Sequence, residues 1–150
     1  MGSAVLTMIE IFTPAIDRFL WQNTVMSLAV YADEMLWAAN VFYCLDDHAP
    51  RLLYYTEERT LHGRLSAHNP VVVATIAPQM REVARIQGVQ LSGTTRMLHG
   101  DEAADARRMF AAAFPKVGEA QAPIWALTPQ RVKMVNNGVA FGHRELWPQQ

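Results

Sequence analysis

Residues 51–78, RLLYYTEERTLHGRLSAHNPVVVATIAP, constrain the fold of this chain more than any other stretch. Leu52-Leu53-Tyr54-Tyr55 is aromatic and apolar, the composition of a pleated, half-buried strand. It stops at the polar run Thr56-Glu57-Glu58-Arg59-Thr60. Thr56 or Thr60 is placed to cap a short helix, whose first N–H groups would then point past the strand end. Asn69-Pro70 closes that helix, because a residue before proline avoids the helical region. Val71–Ile76 follows as a strand expected to be covered on both faces. A strand end meeting a helix N-terminus, with hydroxyls and an arginine, is one way to build an anion site. An ordinary capped helix between two strands accounts for the same residues.

The flanking sequence places this unit in an antiparallel context. Thr13-Pro14 reads as a cap followed by proline at the first helical position, with Ile16, Phe19 and Leu20 on one face of the helix. Thr24–Val30 and Met35–Leu45 read as strands around a Tyr31–Glu34 turn, and Asp46–Pro50 as the next turn, a solvated one. Three successive strands of this kind favour a barrel over a parallel α/β sheet. Val83–Met97 reads as a long strand in which Gly88 and Gly93 mark a bend or bulge. Asp101–Phe114 is the clearest helix, with acids at its positive end and alanines through its body. Ile124–Leu127 and Arg131–Val135 are expected as short strands around Thr128-Pro129. Asn136-Asn137-Gly138 signals a tight turn into a last strand, Val139–Trp147. No repeat or linker divides residues 1–150, so one domain is expected.

Composition excludes several classes. A formal charge of -1 and a pI near 6.5 give no basic footprint for nucleic acid. The apolar stretch Ala4–Phe12 is interrupted by Glu10 and has no basic residue before it, a poor signal peptide, and no run is long enough to span a membrane. The lone Cys44 points to a reducing, cytoplasmic compartment. The five histidines lack metal-ligand spacing, and no CxxC or HExxH motif is present, so no metal site is expected. No serine lies in a nucleophile motif, and no glycine loop matches a dinucleotide fingerprint. Asn40 and Phe42 share one strand face, with Trp37, Val41 and Tyr43 on the other. An amide inside that apolar run needs a partner, which suggests a pocket for Asn40. Phe42 is expected to pack the core.

Tyr55-Thr56, Thr60, Asn69-Pro70 and the Val71–Ile76 strand resemble, in order and spacing, the flavin-phosphate region of the FMN-binding split-barrel superfamily, which includes pyridoxamine 5'-phosphate oxidase. Leu36–Tyr43, Thr56–Thr60 with His62, Gly88-Val89-Gln90, Gly93, Phe114-Pro115, Ala122–Trp125, Phe141-Gly142 and Trp147 are similar to the YhbP-like branch of that superfamily. The likeness runs from about Ile16 to Trp147. It implies a mainly β (α+β) fold, an antiparallel split β-barrel with an N-terminal and a mid-chain helix. It also implies a homodimer with FMN at the subunit interface and no membrane or nucleic-acid partner. The cofactor cradle it implies comprises Asn40, Val41, Phe42, Tyr55, Thr56, Arg59, Thr60, Leu61 and His62, with Gln90 and Trp147 contributed by the second subunit.

The departures carry equal information. Asn40, Leu61 and His62 stand where the family usually has arginine, arginine and lysine. Those cations are strong phosphate ligands, and Arg59 and Arg64 are the nearby replacements. The tail reads His143-Arg144, reversing the family's Arg-x-His substrate motif, so pyridoxamine 5'-phosphate oxidation is not expected. The expectation is therefore an FMN-dependent oxidoreductase of unknown substrate. The alternative is a non-catalytic dimeric binding protein that holds haem or another small ligand, and a purely structural dimeric module is a third reading.

Overall fold

The computed structural model describes residues 11–117 and 120–149, so the expected turn of helix before Phe12 lies mostly outside the described residues. Its seven strands are β1 (Val25–Ala32), β2 (Met35–Leu45), β3 (Leu52–Tyr55), β4 (Val71–Ile76), β5 (Gln87–Met97), β6 (Ile124–Asn136) and β7 (Arg144–Trp147). Every pairing is antiparallel, in the order β3-β2-β1-β4-β5-β6-β7, and β3 also pairs with β6. That extra pairing closes six strands into a barrel and leaves β7 as an extension of β6. The helices are α1 (Pro14–Gln22), α2 (Leu61–His68) and α3 (Gly100–Ala113).

Local chemistry explains the helix ends. Thr13 Oγ1 caps α1, and Ile16, Phe19 and Leu20 are its buried face. The Tyr43 hydroxyl donates to the Leu20 carbonyl at 2.7 Å and ties α1 to β2. Of the two threonines offered as caps for α2, Thr60 is the one used, accepting from Gly63 N at 3.1 Å. Asn69 ends α2 and then donates its side-chain amide to the Tyr31 carbonyl at 2.7 Å.

The barrel core is built from alternate residues, among them Met26, Leu28, Val30, Val72, Ala74, Ile76, Val89 and Leu91. A second cluster, with Cys44, Leu53, Ala106, Phe110 and Ile124, lies beneath α3. Strand β3 serves both, which is why Leu52, Leu53 and Tyr54 are all buried.

Five expectations are corrected. Val71–Ile76 is covered on one face only, with Val71 and Val73 exposed. The long strand begins at Gln87, because Val83–Arg85 forms a 3-10 turn held by Asn137, whose side chain donates to the Val83 carbonyl. The two short strands around Thr128-Pro129 are one strand, β6. Pro129 sits opposite Gly93 at a bulge in the β5–β6 ladder, a place where its missing N–H costs no pairing. The Asn136–Gly138 turn opens a longer loop, because the Asn137 side chain also accepts from Gly142 N, so β7 begins only at Arg144. Asp46 is buried rather than solvated, since Arg51 Nε donates to it at 2.7 Å and His48 N at 2.7 Å.

Candidate functional site

The barrel register assembles an outer-face row that no local stretch of sequence contains. Asn40 faces Ser27, Ser27 faces Thr75, Thr75 faces Gln90, and Gln90 faces Lys133. The next outward row is Ala38, Ala29, Val73, Ser92 and Arg131. Side chains on a strand alternate between faces, so both rows look away from the core. Apart from Asn40, these residues line a concave groove of about 990 Å³, bounded at one end by Leu146, Trp147 and Pro148. That volume lies at the upper end of the range usual for small-molecule sites. Its floor is small and apolar, its walls carry hydroxyls and amides, and no carboxylate lines it.

Asn40 does have the partner its setting demands: Ser27 Oγ donates to Asn40 Oδ1 at 2.6 Å. Its NH2 group has no partner among the described residues and remains available on the outer face. Phe42 is on the same face, 61% exposed, with its ring edge-on to Phe114 at 5.8 Å. Core packing for Phe42 is therefore corrected: the strand faces were assigned properly, and Phe42 lies on the outer one. Val41 is buried in the core, so only its backbone can meet a ligand.

The strand-to-helix connection forms a second cluster. Thr56 is buried, and its carbonyl accepts from Trp125 Nε1 at 3.1 Å. His62 Nε2 lies 3.1 Å from Thr56 Oγ1 and 3.4 Å from Thr60 Oγ1. Thr60 Oγ1 also donates to the Glu57 carbonyl at 2.7 Å. Gly63 allows this closeness. A Cβ there would overlap the Glu57 carbonyl oxygen and stand 2.9 Å from both Thr56 Cγ2 and Thr60 Oγ1. Desolvation holds His62 below the ordinary imidazole value, so the ring is neutral at pH 7. Leu61 packs on the core, and Arg59 and Arg64 are exposed with no salt bridge among the described residues. Tyr55 turns toward α3, where its ring meets Phe110 at 4.7 Å and lies beneath the Arg107 guanidinium.

Thr56, Thr60 and His62 are thus brought together, while Gln90 lines the groove and Asn40 lies in the same outer-face row without lining it. Trp147 is buried in its own chain: its indole donates to the Ile11 carbonyl at 2.8 Å, and its ring meets Phe12 edge-on at 4.8 Å. Sequence reasoning missed Ser27, Thr75, Ser92, Arg131 and Lys133. Their signal was present as small or polar residues alternating with core positions on β1, β4, β5 and β6. Among the described residues no cluster of three metal-ligating side chains occurs, and no helix is long and apolar enough to cross a membrane.

The arrangement agrees with known proteins at the level of fold. The structure is similar to a haem-binding protein from Mycobacterium smegmatis, with TM-score 0.71 and 24% identity over 92% of this chain. The chain spans 59% of that protein's length. It is also similar to a candidate pyridoxamine 5'-phosphate oxidase from Listeria innocua, with TM-score 0.65 and 12% identity over 81% of this chain and 96% of that one. An FAD-binding protein from Mesorhizobium loti has TM-score 0.62 and 14% identity, over 85% of this chain and 97% of that one. These likenesses establish the antiparallel split barrel, as expected. No protein-family profile matches the chain. A UPF0306 protein from Yersinia pseudotuberculosis is 36% identical over 132 residues, which is 88% of this chain and 90% of the relative. At that identity and coverage, the chain is a member of the UPF0306 family.

Proposed function

We propose that the protein is an FMN-binding oxidoreductase whose flavin lies on the outer sheet face, between two copies of the chain. The observation that carries this reading is the groove's chemistry. Amides and hydroxyls from Gln90, Thr75 and Ser27 surround a floor of Ala29, Ala38 and Val73, a surface suited to a flat ring with a polar edge. Asn40 sits at the edge of that row. The phosphate would meet the α2 N-terminus, where Thr60, the first-turn N–H groups and exposed Arg59 replace the family's basic residues. When bound, flavin supplies the electron or hydride transfer, while the chain orients it and shields it from water. Exposed Tyr31, Leu36, Phe42, Val71 and Val73 give the same face the apolar character of a subunit interface. The lone, buried Cys44 fits a reducing cytoplasm. The order of the motifs from Leu36 to Trp147 supports kinship with the YhbP-like branch.

Haem is the second reading, favoured by the neutral His62 and Leu61 at usually basic positions and by the likeness to a haem-binding protein. Against it, no histidine, cysteine, methionine or tyrosine lines the groove, so the chain offers no axial iron ligand there. Titration of the metal-free, cofactor-free protein decides between them. The flavin reading expects FMN fluorescence to quench at one equivalent per chain, with Gln90→Ala weakening binding by about tenfold, the loss of one good hydrogen bond. Unchanged flavin fluorescence beside a tight, shifted haem Soret band would overturn it.

A further inference from the structure

Arg131 and Lys133 stand two residues apart on the outer face of β6, about 7 Å from one another along the strand. Each belongs to a different row of the groove: Arg131 continues from Ser92, and Lys133 from Gln90. Lys133 is half-buried and Arg131 exposed. Among the described residues neither makes a salt bridge or a side-chain hydrogen bond, and no acid lines the groove they share. This contrasts with Arg51 and Arg96, which are both engaged by Glu102, and with Arg107, which donates to the Ala120 and Ala122 carbonyls. Two like charges on one strand face raise each other's energy, and an anion placed between them lowers it.

We infer that Arg131 and Lys133 form an anion anchor at the β6 side of the groove, and that it takes a small organic acid carrying one carboxylate, phosphate or sulfonate group. The arginine fork suits a bidentate oxyanion, and the lysine supplies a point charge beside it. This deepens the flavin reading by giving the charge of the substrate, and it rests on that reading only for the claim that the anion is the substrate.

The test uses the full chain and two dyes with similar bodies, anilinonaphthalene sulfonate, which is anionic, and phenylnaphthylamine, which is uncharged. Wild type is expected to bind the sulfonate saturably, about tenfold more tightly than the uncharged dye, with the preference shrinking as salt screens the charges. Arg131→Gln/Lys133→Gln is expected to abolish the preference without changing uncharged-dye binding, and the charge-preserving Arg131→Lys/Lys133→Arg variant to retain it. FMN retention is measured on the same proteins. Loss of the preference with FMN still retained supports the anchor. If wild type itself fails to retain FMN but the sulfonate preference follows the two cations, the flavin reading fails and the anchor stands. Equal binding of both dyes by wild type, or an unaltered preference in the double glutamine variant, overturns it. Where wild type retains FMN, its loss from the double glutamine variant together with the sulfonate preference also overturns the anchor, because the cations would then be holding the cofactor.

Discussion

Substituting Gly93 by alanine tests the bulge that shapes the groove. Gly93 faces Pro129, where the β5–β6 register shifts. A Cβ at residue 93 would overlap the Thr128 carbonyl oxygen and lie 2.8 Å from Pro129 Cα. All of these atoms are backbone, so no change of rotamer relieves the contact, and the two strands must separate. Overpacking of this kind costs about 1–3 kcal/mol, and each ladder hydrogen bond stretched beside it about 1 kcal/mol more. The sum, about 3 kcal/mol, corresponds to a fall in Tm of roughly 6–12 °C for a domain of this size. Gly88→Ala is the internal control: its Cβ would meet Ile76 O at 3.5 Å, an ordinary contact. Paired thermal melts followed by circular dichroism should therefore show a large fall for Gly93→Ala and a shift of only about 1–2 °C for Gly88→Ala. Equal Tm values for the two variants would refute the argument that close backbone approach, rather than β-propensity, fixes glycine at 93.

Other outcomes follow from the same structure. Asp33 and Glu34 form the β1–β2 turn with φ of 52° and 62°, a conformation that strains glutamate more than glycine. Glu34→Gly should raise Tm by about 2–4 °C, reflecting roughly 1 kcal/mol of relieved strain, and a lowered Tm would contradict the strain argument. Burial, reinforced by Asp47 and Asp46, pushes the Cys44 thiol up to about 12. Iodoacetamide at pH 8 should leave the native protein unlabelled and modify it only after denaturation, and rapid native labelling would count against this burial. NMR titration of His62 should give a midpoint below the ordinary imidazole value. Because the unfolded chain then takes up its proton first as pH falls, the contribution to stability is complete above about pH 6.5 and is lost on acidification through the folded midpoint. His62→Gln should remove that part of the acid sensitivity, and a midpoint above the ordinary value would contradict the desolvated setting.

The parts of the fold legible in sequence are those with short-range causes. A threonine cap at Thr56 or Thr60 and Asn69-Pro70 as the stop each depend on neighbours within a few residues. The outer-face row is different. Ser27, Asn40, Thr75, Gln90 and Lys133 come from five strands, and only the order β2-β1-β4-β5-β6 sets them in one row. Period-two alternation puts Asn40 and Phe42 on a common face, but pairing decides which face is the core, and Phe42 emerges on the outside. Asp46 was misread for a related reason. Its acidic neighbour and turn setting suggest solvent, whereas Arg51, itself held by Glu102 of α3, buries it. The Thr128-Pro129 pair looked like a chain break because proline removes a ladder donor, and only the opposing bulge shows why the strand continues through it.

The absorbance spectrum of the protein between 300 and 600 nm, recorded after incubation with excess FMN and gel filtration, tests the central claim most directly. The account predicts retained bands at about 370 and 450 nm, the signature of a bound flavin, co-eluting with a homodimer. A protein fraction with no retained chromophore, or with a Soret band of haem origin, would contradict it.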